Sequence, residues 1–218
     1  MSDKIIIGLA GQKHTGKTTT ANAIKKFLDD KYSHPFIPTA SKVLKYSFAF
    51  YLKDLDKKMF KIANPNATDE ELNEKRRGNL CETGDLLKKL YGKDIFCKML
   101  LNDMKRSEAN ILIVDDVRYS YEAEALLSLK SEGYDVKIFP LIKHISSVSN
   151  YVDFICKDMS NNPGKYSDMH SSESGFFDLI DRYDTINLFK GDYEKEYKPK
   201  LQIAIEILCH YDKFKNLI

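Results

Sequence analysis

The sequence predicts an α/β fold of the P-loop kind, a central parallel sheet flanked by helices, and three observations carry that reading. Short unbroken apolar runs recur at Lys4–Ala10, Ile111–Val114 and Val136–Ile142. The first two lead into stretches of helical periodicity, and a glycine-bracketed loop, Gly11-Gln12-Lys13-His14-Thr15-Gly16-Lys17-Thr18, joins the first run to its helix. Runs without polar alternation suit strands covered on both faces, and strand–helix alternation implies right-handed crossovers.

In chain order, Lys4–Ala10 is the first strand. A helix follows over Lys17–Leu28 with Ala21, Ile24, Phe27 and Leu28 at helical spacing. Phe36–Thr39 reads as a weaker second strand. Leu44, Phe48, Tyr51, Leu52, Leu55 and Phe60 recur at three- and four-residue intervals, which predicts a helix over Lys42–Phe60, broken by Asn64-Pro65-Asn66. Further helix, in pieces, is expected over Glu70–Met104, with Gly78, Gly84 and Gly92 as breaks. Ile111–Val114 is a strand ending in Asp115-Asp116, Tyr119–Leu129 a helix closed by Gly133, and Val136–Ile142 a strand. Ser146–Phe176 is polar, irregular and too long for a simple connection, which reads as a lid. Thr185–Phe189 is the last strand, and Lys200–Tyr211 a closing helix with Leu201, Ile205 and Leu208 on one side.

The 218 residues fit one domain with insertions: core over 1–41, 108–145 and 177–218, a helical acceptor-binding segment over 42–107, and the lid over 146–176. Hydrophobic residues make up 43% and charged residues 30%, the balance of a globular chain that folds alone. Lys+Arg 34 against Asp+Glu 32 leaves a net charge of +2 with no basic block, so nucleic-acid binding gains no support and a small anionic substrate remains open. The four cysteines lie far apart, and no run is long enough for a membrane span; a cytoplasmic protein without a membrane partner is expected. A homodimer is neither required nor excluded.

The loop from Gly11 to Thr18 satisfies Gly-x-x-x-x-Gly-Lys-Ser/Thr in the strand–helix context that the motif's mechanism needs. Gly11 and Gly16 let the backbone, with Lys13, His14 and Thr15, wrap an oxyanion so that N–H groups and the helix N-terminus face ATP phosphates. Lys17 is expected to reach the β- and γ-phosphates, Thr18 to ligate magnesium, and Thr19 to donate to the α-phosphate.

Asp115 continues the second apolar run and is the candidate partner of the magnesium ion's water; Asp116 is a catalytic candidate or a helix cap. Arg118 and Glu122 stand four residues apart. They are either a helix-face ion pair, or Arg118 clamps the acceptor's phosphate with Asp116 or Glu122 fixing its guanidinium.

Several blocks together resemble the phage-type deoxynucleoside monophosphate kinases. Gly11–Thr20 with Ala21 is similar to that family's phosphate loop, and Ser47-Phe48-Ala49 with Leu52-Lys53 to the start of its acceptor segment. Glu82-Thr83-Gly84-Asp85-Leu86-Leu87 and Gly92-Lys93-Asp94-Ile95-Phe96 resemble an acceptor-side helical block, with Lys88 and Lys89 where an arginine is expected. Asp116-Val117-Arg118-Tyr119-Ser120-Tyr121-Glu122-Ala123 matches the Asp-x-Arg-aromatic-x-x-Glu signature, and His170-Ser171-Ser172-Glu173 the lid segment. Thr18 departs from the aspartate that members often carry after the lysine.

The resemblance implies ATP- and magnesium-dependent transfer to a deoxynucleoside monophosphate, with Ser47, Lys53, Lys88, Arg118 and Glu122 holding the acceptor. In such a mechanism Lys143, Lys157 or Lys165 is the candidate cation that closes with the lid, while Tyr46, Phe48, Phe50 and Tyr51, whose helical spacing suits core packing better, are candidates for stacking on a base. Phosphomevalonate kinases share the layout, and a nucleotide-dependent binding switch is the reading outside enzymes.

Overall fold

The computed structural model describes residues 4–12, 15–32, 42–66, 68, 77–142, 177–180, 182–188 and 198–215. The expected strand at Phe36–Thr39, the lid, its lysines and His170-Ser171-Ser172-Glu173 lie outside these residues. By compactness the chain divides into a first unit, 1–45 with 108–218, and a second, Tyr46–Ser107.

In the first unit, β1 (Ile5–Ala10) leads into α1 (Lys17–Tyr32), and β2 (Val43–Tyr46) precedes the second unit. The chain then forms β3 (Ile111–Val117), β4 (Asp135–Ile142) and β5 (Ile186–Asn187). The sheet order is β2-β3-β1-β4-β5, and β1 pairs in parallel with both β3 and β4, as β4 does with β5. Every residue of β1 is buried, as its apolar composition requires of a central strand.

The two faces of β1 are divided by residue parity. Ile5, Ile7 and Leu9 join Ala21, Ile24 and Leu28 of α1, together with Ile203, Ala204, Ile207, Leu208, Tyr211 and Phe214 near the chain's end, in one apolar cluster. On the other face, a Cβ placed on Gly8 would meet Leu126 of the helix that follows β3 and Ile138 of β4. That helix, α5, is Ser120–Ser128, the last helix, α7, is Lys200–Cys209, and a short α6 is Phe177–Ile180. The helices following the neighbouring strands β1 and β3 therefore cover opposite faces, which makes their carboxyl ends a topological switch point where open α/β sheets bind ligands.

The second unit consists of α2 (Ala49–Ala63), α3 (Arg77–Tyr91) and α4 (Ile95–Arg106). Gly84 lets α3 approach α2 closely, since a Cβ there would sit 3.0 Å from Leu52. Tyr51 on α2 donates to the Asp103 carboxylate on α4 at 2.5 Å, and burial with that bond raises its pKa. Leu86, Leu90 and Tyr91 of α3, with Phe50, Met59 and Ile62 of α2, stay exposed.

Several expectations are corrected. Val43–Tyr46 is strand rather than the first turn of a helix, because Lys42 carbonyl oxygen accepts from Ile111 N at 3.3 Å and Val43 carbonyl oxygen from Lys25 Nζ at 3.1 Å. Local periodicity does not contain these distant partners. Gly78 and Gly84 lie within α3, and of the three glycines only Gly92 falls at a break between helices. On α7 the inward side is Ile203, Ala204, Ile207 and Leu208, while Leu201 is 53% exposed.

Candidate functional site

The loop after β1 is shaped by two glycines. Gly16 has φ of 91°, a left-handed conformation that side chains resist, and nothing lies within 4 Å of where its Cβ would be. At Gly11 the constraint is space: a Cβ would come within 2.5 Å of Thr15 Oγ1 and 3.2 Å of Leu141 carbonyl oxygen. Thr15 is buried and closes the turn, its hydroxyl donating to Gln12 carbonyl oxygen at 2.8 Å. Lys13 and His14 lie outside the described residues.

Lys17 opens α1 and is only 8% exposed, with its ammonium donating to the carbonyl oxygens of Gly11 at 2.5 Å and Gln12 at 2.7 Å. The first bond from helix to loop end runs from Thr20 N to Gly16 carbonyl oxygen at 2.8 Å. Lys17, Thr18 and Thr19 therefore occupy the first turn, the end of a helix whose amides point outward along its axis. The first turn carries no acidic residue, and Thr18 and Thr19 are exposed. An ammonium, two accessible hydroxyls and a row of amides at the positive end of a helix form a donor set that fits a polyphosphate.

On β3, Ile111 and Ile113 share the α1 face, and regular alternation puts Asp115 there too. The β1–β3 register then shifts between Gly8 and Ala10, so that Val117 instead approaches Gly8 on the α5 face. Such a bulge re-aims side chains at a strand end. Asp115 is buried, and its carboxylate lies 3.7 Å from Lys45 Nζ. Lys45 in turn donates to Asn22 Oδ1 on α1 at 2.6 Å.

Thr18 and Asn22 are four residues apart on α1 and thus share a helix face. The chain of contacts from Asn22 through Lys45 to Asp115 brings that face and the acidic end of β3 to one crevice. Hydroxyl and carboxylate oxygens suit magnesium, which keeps several waters and takes few protein ligands. Among the described residues no three His, Cys, Asp or Glu side chains gather into a metal centre made by protein alone.

Glu122 is buried, and its Oε2 accepts from the backbone N–H groups of Arg118 at 2.7 Å and Tyr119 at 3.2 Å. The carboxylate caps α5 and fixes the backbone that bears Arg118, as a residue at the third helical position does in a capping box. Asp116, within β3, and Arg118, on the segment between β3 and α5, are both half-buried.

Ser47, Lys53 and Lys88 belong to the helical unit. Ser47 carbonyl oxygen accepts from Phe50 N at 3.2 Å, Lys53 is exposed, and Lys88 lies 3.5 Å from Asp85. Of the aromatic candidates, Phe48 is buried at 3% exposure while Phe50 is 58% exposed. Lys45 escapes the sequence reading altogether, since a helix over Lys42–Phe60 gives it no reason to face α1 or β3.

No protein-family model matches the sequence, and no curated protein sequence does. Among solved structures, the tunicamycin resistance protein of Deinococcus radiodurans is similar at 13% identity and a TM-score of 0.40, over 95% of each chain. A sugar kinase from Janibacter, at 13% identity and 0.35, overlaps 94% of this chain and 93% of its own. A gluconokinase from Sinorhizobium meliloti, also at 13% and with 0.34, overlaps 99% and 96%. Superpositions this loose say nothing of activity.

Proposed function

We propose that this chain is an ATP- and magnesium-dependent phosphotransferase whose acceptor is a small phosphorylated molecule, a deoxynucleoside monophosphate in the leading form of the reading. The observation that carries it is the loop itself: two glycines with distinct geometric reasons, a buried lysine and an acid-free helix start, all at the switch point of the sheet. The acceptor rests on the sequence resemblance, to which the position of Arg118 directly after β3 adds a chemical reason.

In this mechanism Lys17 exchanges its two carbonyl acceptors for β- and γ-phosphate oxygens, and the amides of the first turn of α1 hold the same anion. Thr18 and Asp115 would hold magnesium, which when bound neutralises phosphate charge. Arg118 presents a planar fork to the acceptor's phosphate, and Glu122 acts as a positioning residue by holding the Arg118 amide. An acceptor phosphate with a second pKa of about 6 is already largely dianionic at neutral pH, so the site needs alignment more than a strong base.

The test is ADP formation from ATP and magnesium against all ribo- and deoxynucleoside monophosphates and phosphomevalonate. Stimulation by a deoxynucleoside monophosphate is expected, and Lys17→Ala should lower it by about 10²-fold or more in a protein that still folds. Stimulation by phosphomevalonate alone would replace the acceptor but keep the chemistry. ADP production indifferent to every acceptor would favour a nucleotide-dependent switch.

A further inference from the structure

Lys45 reaches across the crevice from the edge strand of the sheet. Its ammonium donates to Asn22, one helical turn beyond Thr18, and stands 3.7 Å from the Asp115 carboxylate. Both charged side chains are largely covered, with 28% and 11% exposure. Their attraction is therefore less screened by solvent than that of a surface pair. An ammonium so placed offsets part of the charge of the carboxylate that the proposed site offers to a divalent cation, and it repels such a cation.

We propose that Lys45 competes with the metal for Asp115, so that metal binding requires the ammonium to leave the carboxylate. The inference rests on the reading of Thr18 and Asp115 as the magnesium site. It goes beyond that reading by assigning this chain an internal cation that sets the metal's affinity. Asn22 would act as the second anchor, holding the displaced ammonium within the crevice instead of releasing it to solvent.

Manganese, which reports its own binding by electron paramagnetic resonance, can be titrated with ADP present and without turnover. Lys45→Met keeps most of the apolar stem and removes the charge. It should tighten manganese binding roughly tenfold or more, the order expected for removing a unit charge about 4 Å from the site. Lys45→Arg should stay near wild type, and thermal melting of each variant reports whether it folds.

The Asp115→Asn background separates the two levels of the argument. If Asp115→Asn weakens manganese binding and Lys45→Met has little effect in that background, the competition is through Asp115 and the inference stands. If Lys45→Met leaves the affinity of the otherwise native protein unchanged or weakens it, or tightens binding equally with and without the carboxylate, the inference falls while the metal site survives. If Asp115→Asn leaves manganese binding unaltered, the metal-site reading falls, and the inference with it.

Discussion

Arg118 projects from a backbone whose own amide is held at 2.7 Å by a buried carboxylate, so the direction in which its guanidinium leaves the chain is constrained. A clamp on the acceptor depends on the planar fork, which lysine cannot reproduce although it keeps the charge. Arg118→Lys should therefore lose about tenfold or more in kcat/KM for the acceptor, about 1.4 kcal/mol, while isothermal titration shows unchanged ATP binding. Wild-type acceptor kinetics would return Arg118 to a structural role. At this scale the hydrogen bonds of Thr15 and Lys17 are local, each to a carbonyl within six positions, which is why the pattern of the loop can be read from the sequence. The partnership of Asp115 with Lys45 is not legible, since it forms only when β2 lies beside β3. The role of Glu122 is half legible: its spacing from Arg118 suggests a side-chain pair, whereas its carboxylate accepts from two backbone amides.

Among elements, the strands that carry unbroken apolar runs are evident from composition, and β2 is not. Its four residues carry a lysine and a tyrosine, and only one of them is buried. Edge strands owe their state to pairing more than to sequence preference. The segment after α7 contributes the largest fully buried side chain among the described residues, Tyr211, whose hydroxyl donates to Ile6 carbonyl oxygen at 2.8 Å. Tyr211→Phe should cost about 1 kcal/mol, read as a lower Tm at neutral pH. Burial pushes the Tyr211 pKa well above its ordinary value of 10.0. The folded state consequently keeps this proton where the unfolded chain loses it. The associated stability is fully present below about pH 10 and is lost as pH rises from there toward the raised folded value. The Tm gap between wild type and Tyr211→Phe should therefore narrow on going from about pH 8 to about pH 11. A constant gap would contradict the buried, protonated hydroxyl.

At the scale of the molecule, the α/β class follows from the order of apolar runs and helical stretches, whereas the extent of the helical unit depends on where the sheet ends. Tyr46–Ser107 begins later than the helical segment expected from position 42, because the intervening residues pair with the sheet. The side of β1 that carries Ile5, Ile7 and Leu9 is closed partly by α7, Tyr211 and Phe214, with the bond between Tyr211 and Ile6 spanning 205 positions. Removing residues 200–218 should send a larger share of the expressed chain to the pellet than the full sequence does, as centrifugation of the lysate would show. The same arrangement bears on biosynthesis. Ile6 is made 205 positions ahead of the Tyr211 that completes the cover of β1, so part of that apolar face stays open while the intervening chain is translated. At roughly 5 to 20 residues per second that interval lasts on the order of ten seconds or more, during which a chaperone that holds the emerging strand has more to protect than one acting on the finished chain.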